Sequence, residues 1–295
     1  MIPWYALALS AAFLISIEVI FEKKILFRQH VSSFLTMLYA LLVALVLPFI
    51  SQVNFDLSLL TYGVIVLDAF FGVLALVLLY KALRHLEVSN SIPMENLSVL
   101  VVVLLGVFVL GEKLSGLNTI GILCLLIGGF LLCFERKDIW GAFHPKNRKI
   151  LGFVFMGNIF LGISIVFDKV LMSSDELGLP LTKMDPFSAL FLGRVFMFFG
   201  LLALTFLVYG GFKDVKGIWK SSWAFLLFAA AFNNLGGFFY YWAVSVNYVA
   251  LVEPIVAMYT FFDVVLGGNV FHEHHVVKRL VACALMLVGV YLVVI

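Results

Sequence analysis

The chain has 295 residues, 64% of them hydrophobic and 12% charged, with a mean hydropathy of +1.14 and a formal net charge of +2. That composition excludes an ordinary soluble domain, and so small a net charge points to no nucleic-acid partner. Cys124, Cys133 and Cys283 all fall inside apolar runs, which implies no disulfide framework.

Ten apolar runs near the ~20 residues needed to cross a bilayer follow one another: 2–21, 33–50, 59–83, 88–110, 117–134, 150–172, 187–209, 221–245, 248–271 and 277–295. Backbone surrounded by lipid must satisfy its own hydrogen bonds, and such long runs do not suit alternating barrel strands, so an all-α membrane protein of ten transmembrane helices is expected. The first run lacks a basic leading region and stays apolar beyond its small residues, so it reads as an uncleaved first helix. Lys and Arg number 15 in the loops after helices 1, 3, 5, 7 and 9 and 3 on the opposite face, which places both termini outside the cytoplasm.

Charged groups inside apolar runs are costly, and each is a candidate site residue. In chain order these are Glu18 in helix 1, Asp68 in helix 3, Glu95 in helix 4, Arg194 in helix 7, and Glu253 and Asp263 in helix 9. Glu18 also reads as an interfacial residue whose head reaches the membrane surface. Arg194 either pairs with one of the acids or holds a substrate carboxylate in its planar fork. Asn158 in helix 6 and Asn233, Asn234, Tyr240, Tyr241 and Trp242 in helix 8 add polar and aromatic groups, with Asn234 and Tyr241 taken as candidates. Pro93 and Pro254 lie near the starts of helices 4 and 9, where a missing N–H frees a carbonyl and kinks the helix. Helices 5 and 10 carry no charge in their runs, which assigns them to the periphery as bundle supports or a contact with a second copy. His272-Glu273-His274-His275 lacks the His-Glu-x-x-His spacing, so no metal site and no cofactor is expected.

One fixed offset of 161 lays 80–134 over 241–295 without a gap, with 12 identities in 55 positions. Among them are Tyr80/Tyr241, Pro93/Pro254, Gly106/Gly267, Glu112/Glu273 and Gly128/Gly289. A weaker echo at offset 146 sets Phe21-Glu22-Lys23 over Phe167-Asp168-Lys169. Two five-helix halves are therefore expected, 1–134 and 150–295, joined by the charged linker 135–149. Because five is odd, the second half must enter the membrane from the other side, giving inverted repeats.

The doubled pattern Pro93…Gly111-Glu112…Gly121…Gly128 and Glu253-Pro254…Glu273…Gly289 resembles the two EamA repeats of the drug/metabolite transporter superfamily, over essentially the whole chain. The resemblance implies ten helices and the export or uptake of amino acids, amines or other small metabolites. The chain departs from the pattern at His272, where a glycine is expected. Its charge bias also runs opposite to the better-studied members, whose termini lie in the cytoplasm.

The expectation is a secondary transporter working by alternating access in a prokaryotic cell (inner) membrane, and not an enzyme. Five acids against one Arg within the runs favour a cationic or zwitterionic substrate exchanged for protons, and too few cations are present for a phosphate ester. No phosphate-binding loop appears, so ATP is not the direct energy source. The alternatives are a membrane-embedded metal-dependent enzyme, or a channel or receptor. Expected partners are a small molecule, the lipid bilayer, protons and a second copy of the chain.

Overall fold

The computed structural model describes residues 2–26, 30–85, 97–133, 148–212, 215–263, 266 and 276–295. Among them, helices α1 (Trp4–Leu26), α2 (Val31–Val46), α3 (Leu59–His85), α4 (Leu97–Phe108) and α5 (Gly116–Cys133) make the first half. Helices α6 (Arg148–Met172), α7 (Pro186–Leu207), α8 (Val215–Val246), α9 (Val249–Val256) and α10 (Val276–Val294) make the second. No strand occurs among the described residues. Stretches of six helices, α1, α2 with its extension, α3, α6, α7 and α8, are long and apolar enough to cross a membrane; the described parts of α4, α5 and α10 are shorter apolar helices.

Local chemistry explains the helix ends. Asp185 caps α7 by accepting from the amides of Phe187 and Ser188, with Pro186 in the first turn, where its missing N–H costs nothing. Pro48 turns the end of α2 into a 3-10 segment, Leu47–Gln52. Helix 9 differs from the continuous run expected over 248–271. It stops at Val256, turns at Ala257 and Met258, and is helical again over 259–263. Pro254 is the cause: its ring crowds the preceding turn and it cannot donate to Ala250, so the next bonds tighten, Met258 N reaching Ile255 O at 3.0 Å. Helix α8 begins six residues before the expected 221 and runs for 32 residues.

The packing has an exchange symmetry. α1 lies along α8 as α6 lies along α3; α9 meets α1 as α4 meets α6; α2 meets α7, α4 meets α9 and α5 meets α10. Swapping the halves leaves these pairings unchanged. The α5–α10 contact shows it at atomic detail. A Cβ on Gly121 would lie 2.8 Å from the carbonyl of Gly289, and one on Gly128 would lie 3.0 Å from that of Ala282. Residue 121 faces 289 while 128 faces 282, so the two helices run antiparallel. Shifted by 161, Gly128 becomes Gly289 and Gly121 becomes Ala282, so one contact is made twice.

Without a hydrophobic drive between helices in lipid, small residues that let backbones approach supply the attraction. Gly121→Val is therefore expected to destabilise the protein by about 1–3 kcal/mol through overpacking. Gly116, which has nothing within 4 Å of its Cβ position, should tolerate Ala. Thermal unfolding of both variants in detergent checks this; equal melting temperatures would sink the idea. Outside this contact the pair exposes Ile120, Leu123, Leu287 and Tyr291, a surface suited to lipid.

Candidate functional site

Buried polar groups gather where α1, α2, α3 and α6 to α9 converge. On α1, Glu18 and Glu22 are one turn apart and both buried. Asn233 of α8 donates from Nδ2 to Glu18 Oε1 and accepts at Oδ1 from Nη2 of Arg194 on α7. The same guanidinium donates from Nη1 to the Tyr39 hydroxyl at 3.4 Å and lies 5.6 Å from that ring's centre. Gly237 gives it room, since a Cβ there would sit 3.0 Å from Nη2. Arg194 thus touches an amide and a phenol, and Asn233 passes the bond on to a carboxylate. Its Nε is buried without a hydrogen-bond partner.

A second group of acids joins α3 of the first half to α6 and α9 of the second. Ser164 of α6 donates to Asp68 Oδ1 on α3, and Tyr241 of α8 donates to Asp168 Oδ1 on α6 at 2.9 Å. Glu253 on α9 is 9% exposed, and the hydroxyl of Tyr240 lies beside its carboxylate. Asp168 lies within electrostatic reach of Asp68, Arg194 and Glu253, and Glu18 within reach of Arg194 and Asp263. Arg194 is therefore shared between the two acid groups.

At one end of this centre a charged clamp holds the turn between α8 and α9. Lys169 of α6 donates to the carbonyls of Val244 and Asn247 at 2.9 and 2.7 Å, where the dipole of α8 ends negative. Glu112, in the turn after α4, accepts from the amides of Val249 and Ala250 at 2.8 and 2.9 Å, where the dipole of α9 begins positive. Gly106 makes this reach possible: a Cβ there would lie 2.7 Å from Glu112 Oε2. Gly111, at φ 70°, turns the chain back in the left-handed region. Burial lifts the Glu112 carboxyl above its ordinary range, against the pull of the two amides and of Lys169.

Of the candidates drawn from sequence, the structure brings Glu18, Asp68, Arg194, Tyr241 and Glu253 into this one region. Glu18 is buried, 6% exposed, and α1 continues two turns past it. Asn234 turns away: its Nδ2 donates to the Leu42 carbonyl on α2, and its neighbour Asn233 meets the charges instead. Asn158 donates to Val154 and accepts from the Ser98 amide, joining α6 to α4. Pro93, Glu95 and the run His272-Glu273-His274-His275 lie outside the described residues. Glu22, Tyr39, Asp168 and Tyr240 were not among the candidates. The signal for Glu22 and Asp168 lay in the repeat: Glu22 echoes Asp168 and Tyr80 echoes Tyr241, and in the structure Tyr80 donates to Glu22 Oε2 as Tyr241 donates to Asp168.

An all-helical body with an apolar exterior, built from two exchangeable halves, has the architecture of a membrane transporter. The model of the EamA-like transporter family matches residues 2–134 and again residues 148–295, and the chain belongs to that family. It is an integral, multi-pass membrane protein of a family whose members move small molecules. A solved crystal structure described only as that of a protein is similar in fold, with a TM-score of 0.72 at 17% identity over 98% of this chain and 95% of that one. A search of curated proteins gave no match.

Proposed function

We propose that the chain is a secondary active transporter that carries a small organic cation or zwitterion, such as an amine or amino acid, in exchange for protons. Ten crossings arranged as inverted repeats, 1–134 and 150–295 about the linker 135–149, would rock against each other around the polar centre. The Lys/Arg bias supports termini outside the cytoplasm, and the reading fits a prokaryotic inner membrane.

One observation carries the proposal. Among the described residues, Glu18, Glu22, Asp68, Asp168, Glu253 and Asp263 are all buried, and the Arg194 guanidinium lies within electrostatic reach of Glu18 and Asp168. Ionised carboxylates are costly in a dry interior, so this gathering of acids favours protonated carboxyls or a positive ligand. Glu18, Asp68, Arg194, Tyr241 and Glu253 are the proposed substrate or coupling residues, with the helix break at Pro254 beside the site.

The reading is tested by thermal stabilisation of the purified protein with a panel of amino acids, amines and choline, since a ligand that binds only the folded state raises its melting temperature. Stabilisation by phosphate esters alone would overturn the cationic assignment. Glu253→Gln keeps the shape and removes the charge, so it should abolish pH-driven uptake in proteoliposomes while leaving folding intact. Glu95→Gln should be milder. Normal uptake by Glu253→Gln would remove that residue from the mechanism.

A further inference from the structure

The two halves each close a carboxylate with a tyrosine, and the two pairs correspond. Glu22 on α1 accepts from Tyr80 on α3, and Asp168 on α6 accepts from Tyr241 on α8 at 2.9 Å. The acids match at offset 146 and the tyrosines at offset 161, so one half's contact is repeated in the other. Three other polar positions of the centre break this match. Glu18 corresponds to Ser164 and Asn233 to Gly72, and Arg194 has no basic counterpart on α2. Carboxylates are expensive in a bilayer interior, and a hydrogen-bonded Ser or Asn could pin two helices at lower cost. Keeping the acid and its phenol twice over is therefore an argument for what the acid does.

We propose that Glu22 and Asp168 are a matched pair of proton-carrying groups, one in each half, and that Tyr80 and Tyr241 are the positioning residues that cover them. The proposal rests on the transport reading above and gives its proton exchange a location and a count of two sites. Glu22 faces Tyr80 from α3, shares α1 with Glu18, and feels Tyr39 from α2. Asp168 faces Tyr241 from α8, Asp68 from α3, Glu253 from α9 and Arg194 from α7. Glu253, buried on α9, adds a further acid within electrostatic reach of Asp168. When the halves exchange conformations, the two carboxylates exchange roles, so one loads while the other unloads.

A hydrophobic carbodiimide tests this without any substrate, because it reacts only with protonated carboxyls that it can reach from the apolar phase. Purified wild type in detergent is labelled across a range of pH, and modified residues are located by peptide mass spectrometry. Labelling of both Glu22 and Asp168 is expected, falling as the pH rises. Tyr80→Phe should raise labelling at Glu22 severalfold and leave Asp168 unchanged, and Tyr241→Phe should do the reverse. A melting curve on each Phe variant confirms that it is folded; if a variant is not, the wild-type labelling pattern alone decides. Labelling of only one of the two acids, of neither, or without pH dependence overturns the proposal. So does a folded Tyr→Phe variant that leaves its partner's labelling as in wild type. Because no transport is measured, failure here leaves the transporter reading standing, and failure of the ligand panel leaves this one standing.

Discussion

Arg194→Met is expected to destabilise the protein by about 3 kcal/mol, the low end of the range for removing one partner from a buried charge network, since Arg194 is only half-buried. The guanidinium is the cation shared by Glu18 and Asp168, and its loss takes that cation from both acids. It also frees the Asn233 carbonyl oxygen and the Tyr39 ring. Arg194→Lys should recover only part, because a single ammonium cannot hold Tyr39 and Asn233 in two directions at once. Adding Glu18→Gln to Arg194→Met should return some stability, as coupled sites do not add. Melting curves of the four proteins in detergent decide it. If Arg194→Met melts with wild type, the centre does not depend on its cation.

Glu112→Ala should be comparably damaging although it lies away from the acids. It orphans the amides of Val249 and Ala250, at about 1–3 kcal/mol for each buried donor. It also takes the nearby anion from Lys169. Glu112→Gln keeps one strong acceptor and should lose about half as much. The difference between wild type and Glu112→Gln should depend on pH. Burial places the folded-state pKa of Glu112 above the ordinary value of ~4.3. The acid's contribution is thus fully present below the ordinary value and is lost as the pH climbs through the raised one. Unfolding midpoints of both proteins from acid to neutral pH measure this, and a gap that widened with pH would contradict it.

Much of the fold was readable as apolar runs, because in lipid such a run has few alternatives to a helix. The break in helix 9 was only half readable. Pro254 announces a lost hydrogen bond, but whether the helix bends there or ends two residues later depends on what packs around it. The centre shows the same limit. Neighbours on a helix point about 100° apart, so nothing in Asn233-Asn234 told which of the two faces Arg194 and which faces α2. Lys169 counted as a loop charge in the orientation bias, whereas it is buried against the end of α8. Glu112 stood out only as a repeat match to Glu273; the helix whose amides it holds belongs to the other half. The Glu22 and Tyr80 echoes were both visible at different offsets, and only folding brings them together.

The glycine crossing of α5 and α10 bears on how each half can change. A surface that meets its own inverted copy would, in an assembly of identical halves, feel every substitution in two places. Joined in one chain, each side of the contact is free to vary alone. Ala282 already stands where the other half keeps Gly121, and it is accommodated because Gly128 opposite supplies the space. The same licence lets Glu18 stand opposite Asn233 on one side of the centre while Ser164 stands beside Gly72 on the other. A fold built from two exchangeable halves can in this way carry a polar centre that is not symmetric.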